Sequence, residues 1–409
     1  METKFKQTEI GKIPEDWDVK RLKDVCIKIT DGSHFSPPTK FNGKLIATVK
    51  DMENYGFNYL TCRKISKEDF ENLVKQDCKP LKNDVLIAKD GSYLKHVFVS
   101  TGKDEIVLLS SIAILRPDQE KISSSFLKYL FTDAGTKERV SGNYVSGAVI
   151  PRIVLRDFEK IELPIPSLSE QLSIAKILSS LDAKIELNNK MNKTLETIGQ
   201  LLYKRWFVDE RKDEWKNYKF VDLVNQLKPG TNYQPDRIAK GIPFVNVRNV
   251  QGGFLDLRGV KYISREEYKR VHNIWLPEEN DLLITRIGTL GNVGVIRKED
   301  LPVAVHYNSI DIKQKDLSYQ FLYFLLKSNI FQEQYSLKTK QSVQEYITIE
   351  DVENISIVLP EDLSEIKDLE RTFIVLFNQI RTNYNNNQTL SSIRDVLLPK
   401  LMSGEIRVK

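Results

Sequence analysis

Apolar residues recur at alternating spacings of four and three from Ile174 onward: Ile174, Leu178, Leu181, Ile185, Asn188, Asn192, Leu195, Gly199, Leu202 and Trp206. That is an a/d stripe sustained over several heptads, the pattern of a helix that packs along its length against another helix. Ser167 and Glu170 stand in S-x-x-E spacing just ahead of it and predict a capping box at the start. A helix over 167–207 would span roughly 60 Å at ~1.5 Å per residue, and its polar content excludes a membrane span.

The stripe returns 195 residues later as Leu369, Phe373, Leu376, Ile380, Asn383, Asn387, Leu390, Arg394, Leu397 and Leu401, with Asp362 and Glu365 in the capping places. Both stripes put Asn at the same two seam positions, 188/383 and 192/387. A buried Asn weakens an apolar seam, but it sets register when it meets another Asn. Antiparallel packing would pair Asn188 with Asn387 and Asn192 with Asn383, Leu195 with Ile380, and Trp206 with Leu369. A parallel arrangement would also pair Asn with Asn. The domain-sized segment between the helices favours antiparallel packing, because it must leave one helix end and enter at the other helix start.

The repeat extends beyond the helices. Trp17 and Trp215, the Gly43–Met52 and Gly241–Val250 boxes, and Ile65–Phe70 with Ile263–Tyr268 are each 198 apart. Asn83–Lys89 and Asn280–Arg286 are 197 apart, while Asp157-Phe158 with Asp351-Val352, and Pro166 with Pro360, are 194 apart. One ordered series of matches at a nearly constant offset makes the chain two copies of one unit. Each copy is a globular domain of about 160 residues followed by one long helix. The boundaries expected are 1–166, 167–207, 208–360 and 361–409.

Within the first domain, Val19–Thr30, Leu45–Val49, Asp84–Ala88, His96–Val99 and Ile106–Leu115 are short runs rich in β-branched residues, bounded by Gly, Pro, Asn and Asp. A helix is expected over Ser125–Phe131 and its counterpart over Tyr319–Leu326. Three turns stand out in the first copy: Thr30–Pro38, Lys89–Ser92 and Ser141–Gly147. The fold class is therefore α+β: two similar, mostly β domains separated by an antiparallel coiled coil of two long helices, in a pseudo-twofold internal repeat.

Composition adds little: 41% hydrophobic and 29% charged residues describe an ordinary globular chain. The net charge of +5 permits nucleic-acid binding without requiring it. The polar start METKFKQTEI is no signal peptide, and the three cysteines, Cys26, Cys62 and Cys78, lack the spacing of a zinc site or a disulfide framework. These features fit a cytoplasmic protein. No phosphate-binding P-loop, nucleophile elbow, HExxH pair, adenine-methyltransferase D/N-P-P-Y/F box or Gly-rich cofactor fingerprint occurs, and the four histidines are scattered. No catalytic residue and no metal ligand is assigned.

The loops carry donors suited to nucleic acid. In the first copy these are Lys28, Ser33, His34, Lys50, Lys89, Ser92, Lys95 and Arg152. In the second they are Lys228, Thr231, Asn232, Tyr233, Arg248, Asn249, Arg286, Thr289, Asn292, Lys338, Lys340, Gln341 and Gln344. Arg and Lys bond guanine edges, Asn and Gln bond adenine edges, and Lys or turn amides hold phosphate. Solvated loop residues would look the same one at a time. The difference lies in the comparison: the frames match while the loops diverge, which suits two different ligands of one kind.

Several local features join this architecture: the helix start Leu168-Ser-Glu170-Gln171, the box Ile13-Pro14-x-x-Trp17 with Leu22, the Asn83-Asp-Val-Leu-Ile box and the Leu-Leu-Pro399-Lys-Leu-Met-Ser-Gly404-Glu-Ile-Arg end. The whole chain resembles the specificity subunits of Type I restriction–modification enzymes. The resemblance implies that each domain is a target-recognition domain reading one half of a split, asymmetric site in double-stranded DNA. It implies that the helix pair is a spacer and docks two modification (methyltransferase) subunits. It further implies that S-adenosylmethionine chemistry resides on those subunits, and ATP- and Mg-dependent translocation and cleavage on separate restriction subunits. The second helix departs from the pattern in lacking the first helix's Gln (Leu363-Ser-Glu-Ile366), so altered cap contacts are expected there. A DNA enzyme with a degenerate site and a coiled-coil adaptor that reads no DNA are the alternatives.

Overall fold

The computed structural model describes residues 4–147, 151–271, 275–340 and 344–408. The chain forms two compact units: residues 1–188 with 385–409, and residues 189–384. Each unit contains one globular copy and a portion of both long helices, Leu168–Lys204 and Lys367–Met402.

In the first unit the main sheet orders Val97–Val99, Val85–Ala88, Ile112–Pro117 and Cys26–Asp31, all antiparallel. A second sheet sets Lys44–Ala47 between Ile106–Leu108, which runs parallel to it, and Arg63–Ile65. The second unit repeats both arrangements. Val293–Val295, Leu282–Thr285, Ser309–Gln314 and Val224–Pro229 follow in the same order, extended by Gly253–Leu255 and Val250–Gln251. Ile242–Val245 lies between the parallel Ala304–Val305 and the antiparallel Lys261–Ile263. Val85–Ala88 and Leu282–Thr285 are buried at every position, so apart from Thr285 these four-residue runs are continuously apolar rather than alternating.

The repeated Asn-Asp boxes have a backbone explanation. Asn83 and Asn280 both adopt a left-handed φ of 71°, which Asn tolerates better than most residues. The following Asp closes each turn: Asp84 accepts the Leu81 amide at 2.8 Å and Asp281 the Glu278 amide at 2.7 Å.

The run Val19–Thr30 is not one strand. A helical turn, Leu22–Val25, interrupts it, because Leu22 and Val25 are three apart and both turn into the core. Ser141–Tyr144 are not a loop either. They complete the helix Ala134–Tyr144, which is capped by the Asp133 carboxylate on the Thr136 amide. The FLKYLF helix runs Ser124–Thr132 and its counterpart Tyr319–Lys327.

Every a/d position of both stripes is buried or half-buried. In the first unit Glu170 meets Arg407, Asp182 meets Arg394 and Asn188 meets Asn387, so the helix segments run antiparallel. In the second unit Asn192 meets Asn383, and Lys212, just past the first helix, meets Glu365 at the start of the second. Leu195, Ile380, Trp206 and Leu369 share one hydrophobic core there.

The helix starts differ from a reciprocal capping box. Ser167 Oγ accepts the Glu170 amide at 3.4 Å, but the buried Glu170 carboxylate turns inward and accepts from Trp17 Nε1 (3.1 Å) and Arg407. The second helix opens with a 3₁₀ turn, Leu363–Ile366, in which Asp362 accepts the Ser364 amide. The missing Gln has a consequence one turn on. Gln171 caps the first short helix by accepting the Ser123 amide at 2.9 Å, whereas Glu370 does this for Ser318 at 2.6 Å.

Candidate nucleic-acid interface

A short turn after the parallel strand is the hub of the loops in each unit. In the first it is Leu109–Ser111. The Ser110 amide donates to Ser33 O, Gly32 N to Ile112 O, Lys89 N to Ser111 O, and Leu109 N to Ala47 O. Ile153 N donates to Lys89 O and Gly91 N to Pro151 O. The second unit makes the same six bonds: Tyr307 to Thr231, Gly230 to Ser309, Arg286 to Asn308, His306 to Val245, Ile347 to Arg286 and Gly288 to Glu345. Backbone approach is so close that a Cβ on Gly32 would lie 2.2 Å from Leu108 O, and one on Gly230 2.3 Å from Val305 O. Only glycine fits there.

This frame gathers Ser33, His34, Lys50, Lys89 and Arg152 around one turn. The Val49 amide donates to Ser111 Oγ at 3.0 Å, which brings the Lys50 turn beside Lys89, and Arg152 bridges Asp90. His34 and Lys50 are exposed, as are Ser92, Lys95 and Arg152. Ser33 is buried and closes its own turn by accepting the Phe35 amide. Lys89 is 6% exposed, with Asp31 and Asp90 each 3.3 Å from its ammonium. It is an internal ion-pair partner rather than a free donor, since its short reach from a fully buried strand ends at Asp31. Lys28 lies out on its strand and pairs with Asp77.

In the second unit Thr231, Asn232, Tyr233, Arg248 and Arg286 gather in the same way. Arg248, at the place of Lys50, is exposed. Asn249 is buried, and its amide is spent within the fold, accepting Asn246 N at 3.0 Å and donating to Asp256 O at 2.8 Å. It is therefore a structural cap and not a reader, matching Asp51, which accepts Thr48 N in the first copy. Arg286 is half-buried and donates to Ile347 O at 3.1 Å. Burial holds its pKa below the usual arginine value. Asn292 donates to Val250 O, so its side chain also braces the frame. Thr289 and Lys228 are exposed, Lys338 is half-buried at the end of a helix, and Lys340 pairs with Asp351 at 3.1 Å. Gln344 is exposed, and Gln341 lies outside the described residues.

The structure adds residues that charge and amide chemistry did not single out. Phe35 and Phe41 are 64% and 95% exposed on the first copy's loops, where an aromatic face suits a thymine methyl or a base step. Arg270 lies over the Tyr233 ring at 4.8 Å and donates to its hydroxyl, and Arg237 lies over Phe244 at 4.3 Å. Large apolar residues inside a Gly/Pro-rich loop were the available signal for the two phenylalanines.

The family model of the Type I restriction modification DNA specificity domain matches twice, over residues 14–197 and 212–391. The chain belongs to this family of DNA specificity subunits. It is 29% identical to the MjaIX specificity subunit of Methanocaldococcus jannaschii over all of this chain and 98% of the relative. It is 26% identical to the MjaVIII specificity subunit of the same organism over all of this chain and 97% of that relative. The EcoBI specificity subunit of Escherichia coli is 23% identical, over 79% of this chain and 73% of its own length. The crystal structure of a Type I system S subunit from M. genitalium shares the fold, with a TM-score of 0.54 at 17% identity, covering 98% of this chain and 99% of that one. As a specificity subunit, this chain recognises DNA, and the family domain occurs once in each copy. Among the described residues no helix is long and apolar enough to cross a membrane.

Proposed function

We propose that this specificity subunit reads a split, asymmetric DNA site, one half with each copy, and carries no chemistry of its own. It places modification subunits, which supply S-adenosylmethionine chemistry, and restriction subunits, which supply ATP- and Mg-dependent cleavage, at the site it has read. These reactions place it in the cytoplasm with the DNA. The observation that carries the reading is the duplicated hub, with six identical backbone bonds holding different side chains. His34 stands where Asn232 stands, and Ser92 where Thr289 stands. A rigid frame with variable, outward side chains separates positioning from readout.

A twofold partner is supported by a groove that occurs once in each unit. In the first, Pro399–Met402 of the second long helix and the turn after it, with Ser403 and Glu405, face Asp133–Arg139. In the second, Thr197–Val208 of the first long helix and the turn after it face Ser328–Glu333. The short-helix walls start 195 residues apart, and the long-helix walls share the places of Lys204 with Pro399 and Val208 with Ser403, which supports one kind of partner surface meeting both units.

The test exchanges residues 20–160 for the matching domain of a relative and maps methylated adenines in cells that also carry the partner subunits. One half of the methylated motif should change and the other persist. Simultaneous change of both halves would show that the copies are not independent readers. Sequence-independent DNA affinity of the complete complex would mean an adaptor instead.

A further inference from the structure

One polar cavity lies apart from the two grooves and takes in one of the loop donors, Lys95. It lies in the first unit, has a volume of about 280 Å³, and opens between the short helix Ser124–Thr132, the hairpin carrying Lys95 and the two long helices. Four cationic side chains line it: Lys95, Lys128, Lys137 and Arg394. Two acids answer them. The buried Asp182 takes Lys128 at 2.6 Å, Arg394 at 3.0 Å and the Tyr129 hydroxyl at 2.8 Å, and Asp395 takes Arg394 at 2.9 Å. Burial raises the Asp182 pKa, but these cations and hydrogen bonds outweigh it and hold the carboxyl below its ordinary value.

Lys95 and Lys137 have no ion-pair partner among the described residues. Asp133, the N-cap of the helix that carries Lys137, spends its carboxylate on the Thr136 amide and supports the Lys137 charge without a direct ion pair. Burial pulls the Lys137 pKa down, and both lysines, after burial, push the neighbouring His96 down as well, against Glu53. Among the lining side chains the cations therefore outnumber the acids, and Asn54, Tyr55 and Thr132 complete the wall, bonded to His96, Asp182 and the Tyr129 carbonyl.

The fold does not need this charge. In the second copy, Lys128, Tyr129, Asp182 and Arg394 are replaced by Tyr323, Phe324, Phe377 and Gly199. There the space is closed: the Tyr323 and Phe377 rings are 4.8 Å apart, and a Cβ on Gly199 would lie 2.1 Å from the Phe324 ring. The same frame is thus built once with aromatic rings beside a single Lys327–Glu196 pair and once with a cavity of four cations and two acids, although burying charge costs more than burying rings.

We propose that this cavity binds a phosphate group, with Lys95 and Lys137 as its charge partners. The group comes either from a free phosphate anion or from the DNA backbone. The proposal does not depend on which bases the loops read. Full-length protein with isotope-labelled histidine is titrated with sodium phosphate at constant ionic strength, with chloride as the control and His96→Asn assigning the signal. His96 should titrate at higher pH when phosphate is present. Lys95→Gln with Lys137→Gln should weaken phosphate binding by about tenfold or more, and Lys137→Arg should retain it. In the second arm, log affinity for a duplex is measured against log salt. A backbone phosphate as the source makes the slope shallower by ~1 to 2 in the double Gln variant, while a free anion leaves it unchanged. An unmoved His96 together with an unchanged salt slope overturns the proposal, and neither reading depends on the stability of one variant.

Discussion

Asn188 donates its side-chain amide to Asn387 at 2.8 Å, and Asn387 in turn reaches the carbonyl of Ile185. The second unit makes the same pair in reverse: Asn383 donates to Asn192 at 2.8 Å, and Asn192 reaches the carbonyl of Ile380. Each pair joins two side-chain amides across an otherwise apolar seam, where a buried amide needs hydrogen-bond partners.

Single replacement Asn188→Leu or Asn387→Leu should cost ~1–3 kcal/mol, because the remaining amide stays buried and loses its hydrogen bond across the seam. The double replacement should recover much of that loss. Urea denaturation of the four proteins gives the coupling energy. Strict additivity of the two single effects would mean that the asparagines do not act as a pair.

The second unit buries an acid, Asp311, that has no salt-bridge partner among the described residues. Asp311 is wholly buried; burial and the neighbouring Asp281 raise its pKa well above the ordinary value, and burial lifts Asp281 to about 6. The first copy has Ile114 at the place of Asp311, and Asp84 there is held by Arg116 at 2.9 Å. A raised folded-state pKa favours the protonated fold. Its contribution is complete below the unfolded value of ~4 and is lost as pH rises through about 6 and beyond. Asp311→Asn should therefore gain ~1–3 kcal/mol on wild type at pH 8 and little at pH 4. Urea midpoints at the two values decide it, and an equal difference at both would refute the assignment.

Lys50 and Arg248 occupy one exposed place on two copies of the frame. Arg248→Ala should relax a single base position and cost ~1–3 kcal/mol if it grips guanine, or flatten the salt slope for all sequences if it grips phosphate. Lys89→Ala should instead lower stability, since it leaves Asp31 buried beside Asp90. Methylation mapping and thermal melts on both variants separate the roles. Wild-type behaviour of Arg248→Ala in both assays would remove this turn from the reading surface.

Gln171→Ala should destabilise the first unit by ~1–3 kcal/mol, since it frees the Ser123 amide and two carbonyls, Lys121 O and Pro166 O. Ile366→Gln in the second unit should gain nothing, because Glu370 already caps Ser318. Hydrogen exchange at the Ser123 and Ser318 amides checks this directly, and a stabilised Ile366→Gln would mean that the Glu370 contact is not the working cap.

The heptad stripe, the 195-residue repeat and the paired asparagines were all legible in the chain because they rest on spacing, and spacing survives without coordinates. The antiparallel pairing and the doubled domain followed from them, whereas the order of the main strands came only with the fold. Tertiary structure decided the fate of individual polar side chains. Lys89, Asn249 and Asn292 read as loop donors, yet each turns inward, since a side chain's use depends on which carbonyl or carboxylate the neighbouring strand brings within reach. Glu170 likewise stood in capping-box spacing, but Trp17 and Arg407, distant in sequence, claim its carboxylate. The charged cavity was invisible for the same reason. Its walls come from residues as far apart as Asn54 and Arg394, and only the folded chain sets Lys95 and Lys137 on one space.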